Sequence, residues 1–201
     1  MEEKLSNAQK LSKHYPEEAL LLCCCYIEAI GVRQYREIDY VVPPRKQILN
    51  FSKSKAFTEI LTKYSGITFW DKIHPIGLLE YLPKSFNNNY QGFMLVLQRI
   101  GSELRESEYV IGQMKTEIEN REQLEWLEKH IHKGSIGNIA YTKVRSELVH
   151  NITHQQISFR ATWEGKRIPD IDFLLMHKCL KSIIHKLKNK SLEENTFWWE
   201  Q

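Results

Sequence analysis

The chain is short of the residues that break helices. Among 201 residues there are 9 glycines and 6 prolines. So few breakers argue against a many-stranded sandwich and for long helices. Cysteine is also scarce. Cys23, Cys24 and Cys25 are consecutive, and Cys179 stands alone. Neighbours in a row cannot pair with one another and lack the spacing of metal ligands. They read as reduced, mostly buried thiols of a cytoplasmic protein. Long apolar runs are missing too. The strongest, Ala19 to Tyr26, is far too short to cross a bilayer, and Met1 to Lys10 has no apolar segment of a secretion signal. No glycine-rich phosphate loop or nucleophile elbow occurs, and no histidine pattern reads as a zinc site. An excess of either charge is small as well. With 28 basic and 25 acidic residues the net charge is +3, which permits phosphate contact without announcing it.

What is present is helical periodicity over most of the chain. Leu5 to His14 is a weak amphipathic start. Pro16, Glu17 and Glu18 then open a helix that should run to about Tyr35. Its centre, LLLCCCYIEAIG, is apolar nearly all round and belongs inside a bundle. Ser54 to Tyr64 reads as a short helix closed by Ser65-Gly66, and a helical turn is expected near Gly77 to Leu82. Tyr90 to Arg105 and Glu108 to His132 read as two longer helices. The second carries apparent charge pairs, Glu117/Arg121 and Glu125/Lys129. His130 and His132, two residues apart on it, should not share a face. Ser135 to His150 is a further helix. Ile157 to Trp163 and Lys166 to Ile168 suggest a hairpin turned by Glu164-Gly165. A last helix spans Ile171 to Lys188, and residues 191–201 form an aromatic tail. The expectation is an all-α bundle, one domain over 1–201, with its core at about 16–188 and a small hairpin at 156–168.

The segment that carries chemistry is Tyr141-Thr-Lys-Val-Arg145-Ser-Glu-Leu-Val-His150-Asn151. On a helix at about 100° per residue, Tyr141, Val144, Leu148 and Ile152 form the core stripe. Arg145 flanks that stripe, and His150 points nearly away from it. A guanidinium matches phosphate oxygens, and an imidazole moves protons near neutral pH. RNA supplies its own nucleophile, the 2′-hydroxyl, so such a pair needs no metal to cleave it. By itself Arg-x4-His is a weak signal, and a solvated helix end explains it equally well.

The segment YTKVRSELVHN, after a charged helical stretch and a glycine-containing loop, resembles the Arg-x4–6-His signature of the HEPN superfamily. ISFRATWEGKRIPDID downstream and LLCCCYIEAIG upstream are similar to parts of the same superfamily. The resemblance implies a compact helical bundle with a hairpin before its last helix. It also implies a metal-independent endoribonuclease of toxin–antitoxin or antiviral defence systems, acting at a cleft shared by a homodimer. Arg145 and His150 would be catalytic, with no cofactor and no metal. Ser146, where the family often has Asn, Asp or His, and Asn151 would support them, and Glu28 would pair with Arg145 across the bundle or form a plain buried ion pair. Arg160, Lys166 and Arg167 on the hairpin and Lys181 on the last helix are candidate RNA contacts. The implied partners are RNA, a second copy and a cognate antitoxin protein, with no membrane. Two other readings stay open: a non-catalytic HEPN-like module that binds nucleotide, RNA or protein, and an unrelated helical regulatory domain.

Overall fold

The computed structural model describes residues 2–36, 52–79, 90–146, 148 and 159–197. They are mostly helical, with one two-stranded antiparallel hairpin before the last helix. The chain divides into two compact units built from interleaved stretches: Met1–Ile67, Ala140–Ile157 and Asp170–Gln201 in one, Thr68–Ile139 and Ser158–Pro169 in the other.

The first unit holds α1 (Glu2–Leu11), α2 (Pro16–Arg36), α3 (Lys53–Tyr64) and the long final helix. α2 begins as its sequence predicts, with Pro16 at the first position and two glutamates in the first turn. Leu20, Cys23, Cys24, Ile27 and Ile30 recur three and four apart and are buried. α2 packs on α3, whose Ala56, Phe57, Ile60 and Leu61 are buried, and a Cβ on Gly31 would come within 2.6 Å of the Ala56 carbonyl oxygen. α3 is capped by the Ser52 hydroxyl, which accepts from the Lys55 amide, and the chain leaves it through Gly66 at φ 79°.

The second unit contains α4 (Pro75–Leu78), α5 (Tyr90–Ile100), α6 (Ser107–Glu117), α7 (Arg121–His130), a 3₁₀ turn (Ile131–Gly134) and α8 (Ile136–Ile139). Its core is Ile73, Leu78, Phe93, Val96, Leu97, Val110, Met114, Ile118, Leu127 and Ile131. The helix expected over Glu108 to His132 is two helices. Ile118 adopts an extended conformation and is buried as the anchor of the break. Asn120 then caps α7 by accepting from the Gln123 amide at 3.1 Å. In consequence Glu117 pairs with Arg99 and Arg121 with Glu125, and the expected Glu117/Arg121 pair does not form.

His130 and His132 flank the end of α7. The backbone tightens to 3₁₀ at Ile131, which brings their rings to 6.4 Å between centroids. The hairpin joins β1 (Thr162–Trp163) to β2 (Lys166–Arg167). Glu164 and Gly165 both have positive φ, 51° and 73°, as a two-residue turn matching strand twist requires. β1 is shorter than the alternation suggested, because Arg160 at φ 45° interrupts extended backbone before it.

The last helix, α9 (Phe173–Glu194), is capped by Asp172, whose side chain accepts from the Leu175 amide at 2.8 Å. It runs past Lys188 and stops at Asn195 in the left-handed region. Among the described residues no helix is long and apolar enough to cross a membrane.

Candidate functional site

The helix expected over Ser135 to His150 is α8 followed by a π-helical stretch, Ala140–Arg145. Widening the turn changes which side chains align. The Ser146 hydroxyl donates to the Tyr141 carbonyl, five residues back, at 3.2 Å. Val144 and Leu148 remain buried, as the apolar stripe predicts.

Arg145 lies within the first unit, and its side chain is only 19% exposed. Its Nε stands 2.7 Å from Glu28 Oε2, and the Glu28 side chain is 9% exposed. The N–H direction lies off the line between the two atoms, so the contact is a close ion pair without a well-aligned hydrogen bond. The other carboxylate oxygen, Oε1, faces Lys53 Nζ at 3.7 Å. One buried carboxylate thus serves two cations. α2 can place it there because Glu28 sits one turn beyond Cys24 and Cys25, on the side facing the π-helical stretch.

Tyr141 and Cys25 complete the cluster. The Arg145 guanidinium lies over the Tyr141 ring, 5.4 Å from its centroid, and that ring packs edge-on against Phe57. Burial raises the Tyr141 phenol above its ordinary range, and the Glu28 carboxylate adds to the shift by its charge and by accepting the phenolic hydrogen. Burial likewise raises the Cys25 thiol, with Arg145 opposing the shift by its charge and a hydrogen bond. Cys24, fully buried beside them, is raised well above the usual thiol range by the same desolvation.

Of the residues singled out from sequence, Arg145, Glu28 and Ser146 gather in one place. His150 and Asn151 lie outside the described residues. Arg160, Lys166 and Arg167 are exposed on the hairpin segment of the second unit, and Lys181 is exposed on α9 of the first. Sequence reasoning missed Cys25, Lys53 and the polar role of Tyr141. Two of these had a signal: Cys25 is three residues from Glu28, and Tyr141 four from Arg145, both spacings that share a helix face. Lys53 had none.

The four thiols are free, with Cys23, Cys24 and Cys179 buried. Among the described residues no group of three or more His, Cys, Asp or Glu side chains gathers as a metal site would require. Comparison of the chain with models of protein families, with curated proteins and with solved structures returns no match in any of the three.

Proposed function

We propose that this protein is a metal-independent endoribonuclease of the HEPN type, acting in the cytoplasm as a homodimer. The observation that supports it best is the setting of Arg145. It is a guanidinium held by a buried carboxylate on a π-helical turn, inside the segment YTKVRSELVHN. Such interruptions of α-helix recur at functional sites, where they re-aim a side chain. Glu28 pairs with Nε, and a terminal amino group of the fork not taken by the Cys25 thiol is the donor a phosphate would take.

In this reading the RNA 2′-oxygen attacks the adjacent phosphorus as the bond from phosphorus to the 5′-oxygen breaks. His150 removes the 2′-hydroxyl proton, and its mate from the second subunit protonates the leaving 5′-oxygen. Arg145 stabilises the charge that builds on the phosphorane. Ser146 and Asn151 orient substrate or imidazole, while Arg160, Lys166, Arg167 and Lys181 contact the RNA backbone. Products carry a 2′,3′-cyclic phosphate and a 5′-hydroxyl. The chemistry calls for no cofactor, and it suits a toxin or antiviral effector held in check by an antitoxin protein.

A second reading draws on the same ion pair. An Arg145 fully engaged by Glu28 is a structural link between helices, and the chain is then a non-catalytic HEPN-like module that binds nucleotide, RNA or a protein. Incubating the purified chain with total RNA in excess chelator separates the two. The nuclease reading expects cyclic-phosphate ends from the native chain and none from His150→Ala. Cleavage that survives the substitution, or a native chain that binds RNA and leaves it intact, rejects it.

A further inference from the structure

The outer face of α9 carries a pattern of which the nuclease reading uses Lys181 alone. Leu174, Lys178, Lys181, His185, Lys188 and Leu192 succeed one another at spacings of four, three, four, three and four. That alternation places all six on one stripe, the register of a helix-pairing seam. The opposite seam, with Met176, Leu180, Ile183 and Leu187, is buried in the first unit. The outer one is not: Leu174 is 74% and Leu192 72% exposed, and the four residues between them are exposed. At 1.5 Å per residue the two leucines stand about 27 Å apart.

The charge of this helix is one-sided. From Phe173 to Leu192 there are five lysines and no aspartate or glutamate, in a chain whose acids nearly balance its bases. The seam lysines therefore find no carboxylate of their own helix beside them. Lys188 takes one from elsewhere: Glu2 of α1 sits 3.0 Å from its Nζ. An acid carried by a neighbouring helix thus already seats on the edge of this stripe.

We propose that this face docks an acidic amphipathic helix of a partner protein. Apolar residues at the partner's outer seam positions cover Leu174 and Leu192, and carboxylates at its inner positions meet Lys178, Lys181, His185 and Lys188. The pattern selects against other occupants. A second copy sets cation against cation in either orientation, since antiparallel pairing opposes 178 to 188 and 181 to 185. An RNA backbone satisfies the lysines and leaves both leucines in water. A bilayer needs a continuous apolar face, which two leucines separated by three lysines do not provide. The inference does not rest on whether Arg145 and His150 cleave RNA, and it gives Lys181 to the partner helix in place of the RNA backbone.

The test uses the full-length chain and a fluorescent 22-residue helical peptide with leucine at the two outer seam positions and glutamate at the four inner ones. Anisotropy should show saturable binding. K178E/K181E should weaken it by about tenfold or more, through loss of attraction and added repulsion. L174S/L192S should weaken it several-fold, and so should serine in place of the peptide leucines. Every substituted position is exposed, so urea unfolding of the variants should match the native chain. The proposal falls if the peptide does not bind, or binds both variants as tightly as the native chain. It falls equally if a 20-nucleotide poly(U) is held through Lys178 and Lys181 with no effect of the leucine changes and no peptide competition. Self-association abolished by L174S/L192S would assign the face to a second copy instead.

Discussion

Arg145 and Glu28 meet at 2.7 Å with the carboxylate almost wholly buried, and Lys53 approaches the same carboxylate from the exposed side. Removing one partner strands the other. Glu28→Gln leaves Arg145 without its counter-charge and should cost about 3 kcal/mol, the lower range for breaking a buried pair. Arg145→Met should cost a similar amount by orphaning Glu28. The double variant Glu28→Gln/Arg145→Met should cost clearly less than the two single losses combined. Urea unfolding of all four proteins measures the coupling, and strict additivity would mean that the pair contributes nothing.

At Gly31 α2 comes close to the backbone of α3. A Cβ there would lie 2.6 Å from the Ala56 carbonyl oxygen and 3.2 Å from the Ile60 side chain. The first contact is with backbone, which cannot rotate aside. Gly31→Ala should therefore lower stability by about 1–3 kcal/mol, despite alanine's better helix propensity. Gly112, on α6, meets no atom within 4 Å at the same virtual Cβ. Gly112→Ala should be neutral or stabilising, and thermal unfolding should show a loss in Gly31→Ala alone.

Much of the fold is legible in the sequence for identifiable reasons. α2 and α3 announce themselves through Pro16 with its following glutamates and through Ser65-Gly66 after Tyr64. The hairpin is carried by Glu164-Gly165. The break in the long charged helix is hidden in the sequence because acid–base spacings of four residues continue across it. Its real marker is Asn120 followed by Gln123, a capping pattern that the surrounding glutamates obscure. The π-helical stretch had no marker at all. Register there depends on packing at Val144 and on the Glu28 contact, which are tertiary. At the site, Arg145, Ser146 and Glu28 were found from the signature and its setting. Cys25 and Tyr141 were passed over as core, since a thiol and a ring are the commonest filling of a bundle interior.

His74 is held on both ring nitrogens within the second unit. Nδ1 accepts from the Gly77 amide at 2.8 Å, which caps α4, so Nε2 carries the hydrogen and donates to the Phe159 carbonyl at 3.1 Å. His74→Asn can keep the cap through its side-chain oxygen and must lose the bond to Phe159. His74→Ala loses both. We expect losses of about 1 kcal/mol for the first and about 2 kcal/mol or more for the second. Equal losses in urea unfolding would mean that the Phe159 bond alone matters.

Alkaline pH should destabilise the protein through its thiols. Burial pushes Cys23 and Cys179 up to about 12 from an ordinary value of 9.0. Between those values the unfolded chain releases thiol protons that the folded chain retains. Unfolding is then favoured as pH rises, and the stabilisation present below pH 9 is lost progressively towards the folded values. Each thiol contributes at most about 1.4 kcal/mol per pH unit in this window. Unfolding free energies at pH 8 and pH 10.5 should fall more steeply for the native chain than for Cys23→Ala/Cys179→Ala. Parallel slopes would place the alkaline sensitivity elsewhere.

Arg145→Lys separates a phosphate-binding guanidinium from a structural cation. Lysine keeps the charge beside Glu28 and so most of the ion pair, but it lacks the planar fork that meets two phosphate oxygens at once. If the site cleaves RNA, Arg145→Lys should fold nearly as well as the native chain while turnover falls by about a hundredfold, the order expected for loss of one preorganised donor at a developing charge. The drop should appear in kcat more than in KM, because the lost contacts strengthen in the transition state. Glu28→Gln should also lower turnover, but in step with its loss of stability. Full activity in Arg145→Lys with normal unfolding would make Arg145 a link between helices and move the chemistry away from it.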